Sequence, residues 1–117
     1  MSDNQLVNLS KRFAVDIVNI CIRIKEEKKV AVLVNQLLRC GTSIGANIHE
    51  ANYAASRADF INKLQIALKE CYETDYWLAL LKDTKILSED NYKQLFVQCS
   101  KIRKILTASI KTAKANR

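Results

Sequence analysis

The sequence predicts an all-α protein, an antiparallel up-down-up-down four-helix bundle, on three observations. It has no proline and only two glycines among 117 residues, whereas a β-rich chain of that length needs turn residues in quantity. Hydrophobic residues make up 49% and charged residues 26%, the composition of a folded soluble domain rather than a disordered chain. Apolar positions recur at spacings of three and four along most of the chain, the period of helices with one buried face. The length suits a single domain, 1–117, with a real core.

The first helix, about 4–27, carries a core stripe of Leu6, Phe13, Ile17, Ile20 and Ile24, with Val7, Ala14, Val18 and Cys21 alongside. Ser2 or Asp3 can cap it. It ends within the charged run Lys25-Glu26-Glu27-Lys28-Lys29, where no breaker stands. A turn is placed there because one helix of about fifty residues would be unusual in a globular domain.

The second helix, about 30–54, holds both glycines and the only histidine, His49. Val30, Val34, Leu37, Gly41, Ile44, Ile48, Ala51 and Ala55 share one face. Each helical glycine costs about 1 kcal/mol against alanine, so Gly41 and Gly45 point to a neighbouring backbone that comes close. A polar stripe of Gln36, Arg39, Ser43, Asn47 and Glu50 runs beside the apolar one.

Ser56-Arg57-Ala58-Asp59 opens the third helix, about 57–83, with Ser56 as cap and Asp59 near the positive end of the dipole. Its inner face is Phe60, Leu64, Ala67, Cys71, Leu78 and Leu81, widened by Ile61, Leu68, Tyr72 and Ala79. Ile66, Tyr76, Trp77 and Leu80 fall on its other sides, more apolar surface than a lone bundle hides. Aromatic residues on an outward face mark these four as candidate oligomer-interface residues. The fourth helix, about 89–114, begins at Leu87-Ser88-Glu89-Asp90, with Ser88 as cap and Leu87 stapled onto Tyr92. Tyr92, Leu95, Cys99, Ile102, Leu106 and Ala113 form its core stripe.

Chemistry is sparser than architecture. The four cysteines, Cys21, Cys40, Cys71 and Cys99, sit singly without the spacing of a zinc clip or redox motif, and read as small buried side chains in a reducing cytoplasm. The acids Glu50, Glu70, Glu73 and Asp75 lack the Glu-x-x-His pairs of a di-iron bundle and read as solvated or salt-bridged. His49 reads as a surface or interface side chain. No nucleophile–base pair or phosphate-cradling loop is evident, so no catalytic residue, metal or cofactor is assigned. No apolar run is long enough for a bilayer, and the first residues resemble no signal peptide, so a cytoplasmic location and no membrane partner are expected.

The formal net charge is +7, and residues 85–117 hold eight basic against two acidic residues. Such asymmetry favours a polyanionic partner. Lys93, Lys101, Lys104, Lys111 and Lys114 of the fourth helix, with Lys11, Arg12, Arg23 and Lys25 of the first, are the candidate contacts to RNA or DNA.

Gln36-Leu37-Leu38-Arg39, Ser43-Ile44, Asn47-Ile48 and Glu50 resemble the central motif of the four-helix-bundle proteins encoded in intervening sequences of bacterial 23S ribosomal RNA genes. Ser56, Asp59-Phe60, Lys63-Leu64, Ile66-Ala67-Leu68, Glu70, Glu73-Thr74 and Tyr76-Trp77 look like that family's third helix. The resemblance runs from about Leu6 to Ala113. Gly45 stands where a proline is common, and His49 and Ala51 where alanine and glycine often stand. The resemblance implies a ring-shaped homo-oligomer, a homopentamer. Through related accessory proteins of retroelements it also implies nucleic-acid binding and a reverse transcriptase as a further partner. In its light Arg39, Ser43, Asn47 and Glu50 are motif residues, with packing the simpler role for them and a ligand or RNA contact the other.

Overall fold

The computed structural model describes residues 3–28 and 30–116. They form α1 (Asp3–Lys28), α2 (Ala31–Ala51), α3 (Arg57–Asp83) and α4 (Glu89–Ala115). Among the described residues there is no strand. Short connections reverse the chain three times, and α1 packs on α2, α2 on α3, α3 on α4 and α4 back on α1. The result is an elongated up-down-up-down bundle of 48 × 22 × 19 Å.

The core follows the apolar stripes. Phe13, Ile17, Val34, Leu37, Ile44, Leu78, Leu81, Leu95 and Leu106 are fully buried. Ser10, Thr74 and Ser109 join them. Two of these hydroxyls bond within their own helices, Ser10 to the Val7 carbonyl at 3.2 Å and Thr74 to the Glu70 carbonyl at 2.7 Å, so each fills core space without an unmet donor.

Both glycines do allow a close approach, to different partners. A Cβ on Gly41 would lie 3.0–3.1 Å from three atoms of the Ile17 side chain. At Gly45 it would lie 3.4 Å from the Ser10 carbonyl oxygen, ordinary contact distance. Only Gly45 therefore faces the backbone that its residue type suggested, and Gly41 makes room for a buried isoleucine.

The predicted caps of α3 and α4 are present. Ser56 Oγ accepts from the Asp59 amide and Ser88 Oγ from the Asn91 amide, both at 3.1 Å. Of the two caps placed before α1, Ser2 lies outside the described residues, and α1 is described from Asp3. Three boundaries or placements differ from expectation. α2 ends at Ala51 rather than near 54, because the amides of Asn52, Tyr53 and Ala54 tighten onto the carbonyls three residues back. Ala55, placed on the core stripe, consequently lies in the connection and is exposed. Tyr72, placed on the widened core face, is 57% exposed, and its ring lies under the Arg103 guanidinium at 5.5 Å.

At the other turn the last carbonyls of α3 accept from Lys85, Ile86 and Leu87. Lys85 closes this turn at φ 64, the left-handed conformation usual after a helix C-terminus.

Candidate nucleic-acid interface

Lys93, Lys101, Lys104, Lys111 and Lys114 are all exposed. From Lys93 to Lys111 the helix rises roughly 27 Å. Lys11, Arg12 and Arg23 on α1 are exposed as well. Lys25 is half-buried and its Nζ donates to Asn35 Oδ1 at 2.8 Å, which ties it to α2.

A hydrogen bond from Gln98 Nε2 to Asp16 Oδ2, 3.0 Å, fixes the register between α1 and α4. In that register Arg12 and Lys101 face each other across a groove of about 370 Å³ that also takes in Leu9, Gln94 and Val97. α1 and α4 thus each carry a row of exposed cations, and Arg12 and Lys101 meet at one groove, which Asp16 also lines. Lys11 faces away from them, into a groove of about 460 Å³ between α1 and α2 with Thr42, Gly45 and His49. Arg103, part of the same basic segment, is withdrawn from it by an ion pair to Asp75.

Two of the motif residues, Arg39 and Glu50, join helices. Arg39 bridges α2 to α3, donating to Glu70 at 3.2 Å and to Glu73 more closely. Glu73 in turn accepts from Trp77 Nε1 at 3.4 Å. The Arg39 hydrogen bond holds the Glu73 carboxyl below its ordinary range. Glu50 pairs with Lys63 of α3 at 3.1 Å. Asn47 Nδ2 donates to the Ser43 carbonyl one turn back, 2.8 Å, inside α2. Ser43 is half-buried. Arg39, Glu50 and Asn47 thus have structural partners within one chain.

Asp75 behaves differently. Burial raises its pKa, with Arg103 pulling the other way. One carboxylate oxygen, Oδ1, is buried without a hydrogen bond. The thiols are buried too. Desolvation pushes Cys21 and Cys40 up to about 11, and the Cys99 thiol, which donates to the Cys71 carbonyl at 3.6 Å, is also raised. No group of three or more His, Cys, Asp or Glu able to hold a metal occurs among the described residues. No helix among them is long and apolar enough to cross a membrane.

The candidate interface residues on α3 divide. Tyr76 is 61% and Ile66 37% exposed, while Trp77 and Leu80 are half-buried and Trp77 packs against the core. Tyr76 and Trp77 meet edge to face at 5.3 Å. Arg57 and Tyr53 are two exposed residues that the sequence did not single out as contacts. The cue available for Arg57 was its place directly after the Ser56 cap.

No curated protein matches the chain. Among solved structures, a protein of unknown function from the S23 ribosomal protein family of Bacteroides thetaiotaomicron, determined at 1.70 Å, superposes with a TM-score of 0.92. It shares 50% sequence identity and covers 95% of this chain and 99% of its own. The model of the 23S rRNA-intervening sequence protein family matches residues 2–108. With that span and a superposing relative at 50% identity, the chain belongs to the 23S rRNA-intervening sequence protein family.

Proposed function

We propose that this protein is a non-catalytic homo-oligomer, a pentamer by family resemblance, that binds RNA or DNA through phosphate contacts. The observation that carries the reading is the rows of exposed cations on α1 and α4, Arg12 and Arg23 on one and Lys93, Lys101, Lys104 and Lys111 on the other, with Arg12 and Lys101 lining one groove. They have the spread of a backbone-tracking surface. Little on that flank reads base edges, so affinity follows phosphate count rather than sequence. Each added subunit repeats the rows, and several weak contacts then act together.

Self-association is supported by Tyr76 and Ile66, large side chains exposed on the outer face of α3. The acids weigh against a catalytic role. Glu50, Glu70, Glu73 and Asp75 are all engaged by Lys63, Arg39 or Arg103. A second reading, an interaction scaffold or accessory subunit of a reverse transcriptase, is favoured by the exposed Val15, Ile22 and Val97 on α1 and α4.

Titration of the full chain with fragments of 23S ribosomal RNA at low and moderate salt tests the proposal. Binding should fall steeply with salt, by a log–log slope of about 0.7–0.9 per phosphate neutralised. The triple variant Lys93→Gln, Lys104→Gln, Lys111→Gln should flatten that slope while the fold persists. Absence of binding at low salt would leave the scaffold reading.

A further inference from the structure

The end of the bundle where α2 passes into α3 holds an aromatic and cationic surface distinct from the lysine flank. Tyr53, in the connection, is 78% exposed, the most exposed aromatic among the described residues. Its ring lies against the exposed His49 at 5.3 Å, tilted by 52°. Burying its ring is not what keeps a tyrosine there. On the other side of the connection, Arg57 is exposed, and no ion pair or hydrogen bond of its side chain occurs among the described residues.

Three grooves converge on that arginine. One of about 400 Å³ runs from Arg57 to Gln65 and Lys114. Another, about 470 Å³, joins it to Asn52 and Phe60. The third, about 390 Å³, passes Phe60 to Thr112 and Asn116. The nearby acids are already engaged: Asp59 accepts from the Ala55 amide at 3.3 Å, and Glu50 pairs with Lys63. Arg57 and Lys114 are left as exposed cations around grooves walled by amide and apolar groups.

A duplex hides the faces of its bases, whereas a single strand offers faces and phosphates alternately. Surfaces that combine an exposed ring with flanking cations suit the second. We propose that this end of the bundle docks a single-stranded nucleic acid, with a base stacked on the Tyr53–His49 pair and its flanking phosphates held by Arg57 and Lys114. The inference rests on the nucleic-acid reading above and assigns where the strand sits and in what form.

The test is anisotropy titration of the full chain with a short fluorescein-labelled single-stranded RNA, its DNA counterpart and the matching duplex. The wild type should prefer both single strands to the duplex. Tyr53→Ala should weaken single-strand binding about tenfold and leave the duplex unchanged, and Tyr53→Trp should restore it. Arg57→Gln should lower the single-strand salt slope by about 0.7. Both sites are exposed, and unchanged melting by circular dichroism verifies folding. If Tyr53→Ala and Arg57→Gln bind like wild type while the Lys93/Lys104/Lys111 triple variant fails, the strand lies on the α4 flank and this inference is overturned. Equal losses on single strand and duplex also overturn it. A wild type that binds neither form overturns the wider reading instead.

Discussion

Gly41 and Gly45 stand one turn apart on α2, yet a methyl group at each would meet opposite conditions. Gly45→Ala should stabilise by about 0.5–1 kcal/mol through helix propensity, since the added Cβ reaches only contact distance of Ser10. Gly41→Ala gains the same propensity but drives a Cβ against Ile17, which is fully buried and β-branched and so slow to yield. Overpacking of that kind costs about 1–3 kcal/mol, so the expected result is a net loss. Urea unfolding of the two variants separates the cases. Acid titration probes two carboxylates of opposite sign. Glu73, held low by Arg39, contributes stability above its unfolded pKa that is lost as pH falls through the depressed folded value. Asp75, raised by burial, gains stability as pH falls through its folded value. Asp75→Asn removes that gain, so the variant should lose stability more steeply than wild type between neutral and acidic urea titrations. Neither pairing was legible in the sequence. Arg39 is 31 and 34 positions from its partners, and helical periodicity gives the face of a residue but not the neighbour across the groove.

Elements were legible where side-chain chemistry marks them. Ser56 and Ser88 announce α3 and α4, and both accept the amide three residues on. Ser56→Ala and Ser88→Ala should each cost about 1 kcal/mol, read as a lowered melting temperature. α2 carries no such mark at either end. Val30 makes no side-chain cap, and α2 stops at Ala51 through backbone hydrogen bonds alone. An alanine-rich segment with no glycine or proline has helical propensity beyond that stop, and tertiary placement of α3 overrides it. Tyr72 shows the same limit on the lateral side. Its helical angle put it at the edge of the buried face, and only the position of α4 decides that the ring ends up outside, beneath Arg103.

At the scale of the whole molecule, the order and pairing of the helices follow from short connections and four apolar stripes, while the exposed face of α3 proposed for self-association does not. Helical angle puts Trp77 off the core face, but it lies half-buried against the core with its indole nitrogen on Glu73. Tyr76 and Ile66 remain the protruding pair. Replacing both by serine should lower the sedimentation coefficient at micromolar concentration with the helical spectrum retained; an unchanged coefficient would remove this face from the assembly. The four free thiols have a consequence of another kind. Each helix contributes one, Cys21, Cys40, Cys71 and Cys99, and every one is shut away from solvent. An alkylating reagent can therefore reach each sulfur only when the segment around it opens. Timed alkylation with mass spectrometry of the peptides turns the four cysteines into separate clocks, one per helix, for the order in which the bundle comes apart.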